Sequence, residues 1–475
     1  MKVMHDIQER LKILFIRNTV IKRIVQDIAN QDGVAYLVGG AVRDLVAGLP
    51  LKDIDIEVHN MTLDTLSEIL QEYAPVSYVG KVYGVLKLHD DRYHHIDWSI
   101  PRRDTAGRKP DVQLDPHMDL KQALIRRDLT INAMALNMHS GELNDPFNGY
   151  ADLSQRRLRA PDPDFFLEDP LRFYRVMQFI GRFNTWPDAE LDGICKEMDV
   201  SQVSRERIDG EFEKLLLKSE RPSRAFYWLS SIGRLYELLP ELARLQGVPQ
   251  SVHSHPEGDV FTHTMQVLDA TAYSVVPAQE DQLVLRYAAL CHDLGKPEKT
   301  EKTESGKITS HGHEKAGIEP TKQLLSRITG RNTICKKVPR LVADHMAPGI
   351  FGRHGTGVAK YKKLAAALGS EISLYLLAVL CYADHRGRNG YENKPLAYDI
   401  PAIDTFIETA RSAGVLHTPE KRVVSGKDFL DTVEEGPKIG KLVDAAYHIQ
   451  ITENIHDKET LKRRAYAQLK QEEAL

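Results

Sequence analysis

YLVGGAVRDLVAGLPLKDIDIEVHNM, residues 36–61, decides the fold. A short apolar run ends in Gly39 and Gly40, a helix-compatible AVRDLVA follows, and Asp53 and Asp55 then alternate with Ile54 and Ile56. Successive side chains of a strand point to opposite faces, so the two acids share one face while the isoleucines pack behind. Such acids stand about 6 to 7 Å apart, twice the rise per residue. Burying them is costly unless a cation meets them. Mg2+ suits the pair, because one or two carboxylates hold it and substrate phosphates complete it. Gly39 and Gly40 let backbone approach phosphate oxygens, and Arg43, one helical turn on, could grip a triphosphate. Taken singly, the glycine pair and the Asp-Ile-Asp run equally describe an ordinary strand-turn-helix junction before a solvent-facing strand.

At 475 residues the chain exceeds one ordinary core, and length points to about three domains. With 42% hydrophobic and 27% charged residues, the composition is that of a soluble globular protein. No uninterrupted apolar run approaches membrane-spanning length. The opening MKVMHDIQERLKILFIRNTVIKRIVQDIAN is charged and amphipathic, without a signal-peptide core or cleavage site. A cytoplasmic protein with no membrane partner is expected. Cys195, Cys291, Cys335 and Cys381 lie far apart in no ligand-like spacing, which suggests neither a disulfide framework nor a zinc knuckle. The net charge of −4 offers a polyanion no general attraction, so nucleic-acid binding must use local patches such as 121–127, 156–159 or 205–214.

Residues 6–31 have helical spacing, ended by Gly33. From Val34 to about Asp97 come short β-rich runs, AYLVGG, DIDIEV, APVSYVG, YGVLKLH and HHIDWSI. The helical TLDTLSEILQEY interrupts them, with Thr62 as its cap. This reads as a small α/β domain. The turn-rich PRRDTAGRKPDVQLDPHMDL reads as a flexible loop. After PDPD, residues 161–164, the patterns are helical, and no further long β section is expected.

Three later stretches give the opening motif its context. RRDLTINAMA spans 126–135, EDPLRFYRVMQF spans 168–179 and VSRERIDGEFEKLL spans 203–216. In the second, Asp169, Arg172, Arg175 and Gln178 recur every third residue, a slanting polar stripe on one helix face. A carboxylate and a guanidinium there present an acceptor and donors to a base edge. With the opening motif, this ordered set resembles the class II nucleotidyltransferases of the polymerase β superfamily, the family of tRNA CCA-adding enzymes and bacterial poly(A) polymerases, over roughly residues 34–240. The resemblance implies that Asp53 and Asp55 hold Mg2+ and are catalytic. It implies that Gly39, Gly40, Arg43 and Arg127 bind the nucleotide, that Asp169 and Arg172 select its base, and that Arg175 lies nearer the phosphates. Many relatives carry arginine where this chain has Gln178, which is left out of the phosphate set. Asp97 reads better as an exposed strand acid than as a third metal ligand.

Beyond the neck stand HPEGDVFTHTMQVLDA, CHDLGKPEK, SHGHEKAG, VADHM and YADHRGR. Imidazoles and carboxylates in helical settings suggest a metal cluster. His263, the His292-Asp293 pair and Asp384 match the four-ligand pattern of the HD phosphohydrolase superfamily, with His311, His313 and His345 as auxiliary ligands or phosphate contacts. Mixed nitrogen and oxygen ligation admits Mn2+, Fe2+, Ni2+, Co2+ or Mg2+. Some bacterial CCA-adding enzymes carry such a domain, with phosphodiesterase, 2′-nucleotidase and phosphatase activities.

The expected architecture is an α+β, polymerase-β-like head with a small mixed sheet at 1–160. An all-α neck at 161–240, an HD-type body at 241–415 and a helical tail at 416–475 follow. The expected activity is template-independent addition of CCA to tRNA 3′ ends from CTP and ATP, releasing pyrophosphate, together with HD hydrolysis. The alternatives within the class are a poly(A) polymerase and a CC-only or A-only enzyme. The HD ligands and the lack of a basic C-terminal extension weigh against the former, and the loop at 102–125 leans towards full CCA addition. From another class, the chain could be an HD phosphohydrolase whose N-terminal half merely binds nucleotide or RNA.

Overall fold

The computed structural model describes residues 2–51, 53–79, 84–90, 96–104, 112–390, 399–430 and 436–473. Residues 105–111 of the expected loop, and His94 and His95 of the HHIDWSI run, lie outside them. The chain divides into two compact units, Met1–Val203 and Ser204–Leu475. The neck expected at 161–240 therefore falls on both sides of that division.

In the first unit the single helix expected at 6–31 is two, α1 (Lys2–Arg17) and α2 (Thr19–Asn30), separated at Asn18, whose backbone is not helical. Ile21, Ile24, Val25 and Ile28 recur at helical spacing and face the core. Strands β1 (Val34–Val38), β2 (Ile54–His59), β3 (Val76–Val79), β4 (Val85–Leu88) and β5 (Ile96–Ser99) form a sheet with Ala135–Asn137 and Leu143–Asn144. Its order is β3-β4-β5-β2-β1, then the two later strands. Only β2 and β5 run parallel, so the sheet is mixed as expected. Helix α3 (Gly39–Ala47) follows β1, and α4 (Leu63–Gln71) starts at Thr62, whose hydroxyl accepts from the Thr65 amide at 3.2 Å.

The alternation in β2 holds: Ile54, Ile56 and Val58 are buried while Asp55 and Glu57 turn to the other face. Each fully buried aliphatic side chain of this kind contributes about 1.5–3 kcal/mol. Register does the rest. Asp55 lies opposite Val38 on one side and Asp97 on the other. The start of α3 and two neighbouring strands thus meet at one carboxylate.

In the second unit, helices Val260–Ala270, Gln279–Cys291, Asn332–Asp344 and Leu374–Arg386 pack together. The last is apolar all round in LYLLAVLCYA, as a helix buried on every side must be. Ser373 caps it by accepting from the Leu376 amide at 3.0 Å. Helices Pro437–Glu453 and Lys458–Glu473 pair over their own core, which includes Phe429, Leu442, Ile449 and Leu461. Past residue 150, strand pairing among the described residues is limited to two-residue ladders. No described helix is long and apolar enough to cross a membrane.

Candidate functional site

The head site is assembled around the turn from β1 into α3. Gly39 has φ +64°, and a Cβ there would lie 2.8 Å from Arg127 Nη1 and 3.6 Å from Asp55 Oδ2. Glycine suits the left-handed backbone there, and its bare Cα leaves the room that the tip of Arg127 occupies. Arg127 Nη2 is also 3.8 Å from Glu57 Oε2. Asp53 is exposed just before β2, and Asp55 is half-buried within it. Burial pushes the Asp55 carboxyl up, and the like charges of Asp97 and Asp53 add to this against the pull of Arg127. Asp97 is partly exposed and pairs with Lys87 Nζ at 2.7 Å. A carboxylate under this pressure is relieved by a cation, which fits the Mg2+ expected from the sequence.

Arg43 sits differently from a free phosphate grip. It is 4% exposed, its Nε and Nη2 donate to Asp44 Oδ1 at 2.9 and 2.7 Å, and its Nη1 donates to Asn132 Oδ1 at 2.7 Å. The guanidinium also lies 4.6 Å from the Phe183 ring centre and 5.2 Å from that of Phe179. Gly40 leaves space beside it, since a Cβ would meet Arg43 Nη2 at 3.4 Å.

The stripe of 169, 172, 175 and 178 is only partly one helix face. The helix runs Leu171–Phe183. Asp169 precedes it and accepts from the Leu171 amide at 3.1 Å, serving the orphan donors of the first turn. Arg172 is bonded to the carbonyls of Phe165 and, at 2.9 Å, Arg126. Arg175 Nε donates to Asp128 Oδ2 at 2.6 Å. Asp128, which the sequence reading passed over inside RRDLTINA, is the buried anchor. It also accepts from Asn132 Nδ2 and the Leu129 amide, both at 2.9 Å. Burial pushes its carboxyl up, but Arg175, Asn132 and Arg172 outweigh that and hold it below the usual range. Gln178 is buried and its amide nitrogen donates to no described group.

The second site lies wholly within the second unit. His263 is on Val260–Ala270, His292 and Asp293 follow Gln279–Cys291, and Asp384 ends the buried helix Leu374–Arg386. All four are buried. His263 Nε2 is 3.1 Å from Asp384 Oδ1, 3.4 Å from His292 Nε2 and 3.6 Å from Asp293 Oδ2. His292 Nε2 is 3.2 Å from Asp293 Oδ2. Three of the expected four ligands, His263, His292 and Asp384, therefore converge, and Asp293 lies beside His263 and His292 while grouping with His313 and His345, a nitrogen and oxygen mixture that divalent metals accept. His313 and His345 come in beside them, whereas His311 is exposed.

Three supporting residues were missed in the sequence. Glu257 faces His263 Nδ1 at 2.7 Å and His255 Nδ1 at 2.9 Å. Burial raises its carboxyl, but those two hydrogen bonds win and bring it down to about 2. Lys296 Nζ is 2.7 Å from Asp293 Oδ2 and from Gln250 Oε1. Arg388 donates to Asp384 Oδ2 at 2.9 Å. Lys296 and Arg388 stand three and four residues after their acids, a helical spacing that could have flagged both. Burial pushes both acids up, but His292 and then Lys296 at Asp293, and Arg388 and then His263 at Asp384, hold them well below the ordinary carboxylate range.

Two domain families match the chain: the Poly A polymerase head domain over residues 35–159 and the HD domain over residues 260–385. The multifunctional CCA protein of Methylobacillus flagellatus is 36% identical over 434 residues, covering 88% of this chain and 99% of that protein. Its counterpart in Halorhodospira halophila is 34% identical over 424 residues, covering 86% and 94%. Among solved structures, the Bacillus stearothermophilus CCA-adding enzyme in complex with CTP matches with a TM-score of 0.65 at 20% identity, over 95% of this chain and 97% of that one. The Thermotoga maritima CCA-adding enzyme complexed with tRNA matches with a TM-score of 0.56 at 16% identity, over 98% of each chain. The likeness to these structures is one of fold, a polymerase-β-like head followed by helical domains.

Proposed function

Since this chain belongs to the family of multifunctional CCA proteins, we infer a division of labour between its two sites. The chain is a tRNA nucleotidyltransferase that adds CCA to tRNA 3′ ends from CTP and ATP, and similarity over nearly its whole length carries that conclusion. The finer reading assigns Asp53 and Asp55 to Mg2+. Bound there, the cation supplies positive charge for the attacking 3′-hydroxyl, the α-phosphate and the leaving pyrophosphate. The pressure of burial and like charge on Asp55 supports that assignment. Arg127, held against Gly39, is oriented to neutralise a nucleotide phosphate that approaches the turn. Asp169 and Arg172 select C or A by the hydrogen bonds they offer a base edge, with Arg175 on the phosphate side. Arg43 would reach phosphate only by leaving Asp44 and Asn132, so its part in nucleotide binding is to set the floor of the site.

His263, His292, Asp293 and Asp384 are read as a hydrolytic metal centre for a divalent transition ion or Mg2+. A cation there supplies Lewis-acid charge to a phosphate ester and its attacking water. Glu257 orients His263, while Lys296 and Arg388 hold the carboxylates ionised. The four-part division at 160, 240 and 415, and a cytoplasmic setting, belong to the same reading.

The test is to incubate tRNA lacking CCA with each labelled nucleotide and Mg2+ and to resolve products by length. Two C additions followed by one A and then arrest are expected. Only C, only A or a long A tail would select the narrower enzymes instead. Asp53→Ala/Asp55→Ala protein that still extended the tRNA would overturn the residue assignment.

A further inference from the structure

We propose that Glu57 and His59 are positioning residues for the transferase, a clamp that fixes Arg127 at the turn from β1 into α3 and so sets the affinity for both nucleotides. The proposal rests on reading Arg127 as a nucleotide-binding residue and says what holds it in place.

Alternation in β2 puts Glu57 and His59 on the face that carries Asp55. Register sets them in successive rows across the sheet, with Asp55 opposite Val38, Glu57 opposite Tyr36 and His59 opposite Val34. The Tyr36 ring meets the His59 ring edge-on, their centres 5.2 Å apart. His59 Nε2 then lies 3.0 Å from Glu57 Oε1, and the two side chains keep only 6% and 13% of their surface exposed. Enclosing such a pair adds little net stability, because desolvation offsets the attraction. Its placement is better explained by what each member reaches next.

Glu57 reaches towards Arg127. Its Oε2 is 3.8 Å from Arg127 Nη2, while Nη1 of the same guanidinium fills the space beside Gly39, where a Cβ would come within 2.8 Å of it. One end of the guanidinium is thus held by a carboxylate and the other is left at the turn. Asp55 competes for that charge, since its Oδ2 would stand 3.6 Å from the same Cβ. Glu57, two residues along the same face, draws Arg127 away from Asp55.

His59 reaches back to the segment that delivers Arg127. Its Nδ1 donates to the Met118 carbonyl at 3.1 Å, because a carbonyl only accepts. The Asn60 amide donates to the Pro116 carbonyl at 2.7 Å and doubles the attachment. Asp119 caps the helix Leu120–Ile125 that follows, and buried Leu124 packs with Val38 of β1. Arg127 leaves the end of that helix, its amide donating to the Leu124 carbonyl at 3.1 Å. Both ends of 118–127 are therefore pinned to β2, one through His59 and the other through Glu57. Arg127 is oriented before a nucleotide arrives, and binding does not have to order it.

The test is a double-mutant cycle in the full-length protein, with kcat and the KM for CTP and ATP measured on tRNA lacking CCA. Glu57→Gln keeps the shape of the side chain and removes its charge. It should raise both KM values about fivefold, the equivalent of one lost hydrogen bond, and leave kcat within about twofold. His59→Leu should do the same, and it serves alone if Glu57→Gln does not fold. A merely structural role would shrink the active fraction, and with it kcat, without moving KM. Arg127→Ala should raise KM further, and adding Glu57→Gln to it should change nothing more. Unchanged KM in folded Glu57→Gln and His59→Leu, beside a raised KM in Arg127→Ala, overturns the clamp and leaves Arg127 as a nucleotide ligand. A Glu57→Gln effect that persists undiminished in the Arg127→Ala background also overturns it. Unchanged KM in Arg127→Ala overturns the reading of Arg127 and the clamp with it.

Discussion

Asp128 is where Arg175 is held, and its charge links that placement to pH. Its carboxyl lies below the usual range in the folded chain, against about 3.9 when unfolded. A depressed carboxylate contributes stability that is fully present above the unfolded value and is lost as pH falls through the folded one. Asp128→Asn should therefore lower stability at pH 7 by about 2 kcal/mol, the worth of hydrogen bonds to a charged group. The gap from the parent should close as pH falls below about 4. Thermal melts of both proteins from pH 7 down to 3 check this, and a gap that stayed constant would refute it. Glu257 acts on the other centre by a comparable local bond. Glu257→Gln keeps the shape but weakens the acceptor at His263 Nδ1, and second-shell losses of this kind cost about tenfold or more in metal affinity. Competition between the protein and a fluorescent chelator for Mn2+ measures it.

Among the elements, the junction of β1 and α3 carries the most consequence per residue. Gly39→Ala must place a side chain at φ +64° and 2.8 Å from Arg127 Nη1. Backbone strain alone costs roughly 1 kcal/mol or more, and displacing Arg127 should raise the KM for CTP and ATP at least tenfold while the fold survives. Extension assays at limiting and saturating nucleotide separate that from a simple loss of stability. This junction was legible in the sequence because its cues are local: glycines at a strand end, then acids alternating with isoleucines. The start of helix Leu171–Phe183 was not, because Asp169 at three-residue spacing fits a helix face and a capping position equally well. The surroundings of Arg43 were hidden for a related reason. A guanidinium three or four residues past a glycine turn suits a phosphate, and only the fold brings Asn132, Phe179 and Phe183 to it from distant segments. His313 and His345 were named from the sequence as auxiliary ligands, but their pairing with each other was not legible, since one opens a helix and the other follows a separate helix and no periodicity relates them.

At the scale of the whole molecule, each centre is contained within one unit and supported by that unit's own residues. The acids, Arg127 and the helix Leu171–Phe183 belong to Met1–Val203, and every HD ligand belongs to Ser204–Leu475. Substitutions confined to separate networks with no shared partner act independently. His292→Ala/Asp293→Ala removes two ligands and leaves Lys296 without its carboxylate, so metal-dependent hydrolysis of a 2′,3′-cyclic phosphate should fall to background. The rate of C and A addition to truncated tRNA should stay within about twofold, because nothing that positions Asp55 or Arg127 is touched. Asp53→Ala/Asp55→Ala should give the reverse pattern. Measuring both activities on both variants at fixed metal concentration decides the matter. If the His292 and Asp293 changes suppressed nucleotide addition in a protein that still melts cooperatively, the two centres would be coupled and the division of labour between the units would not hold.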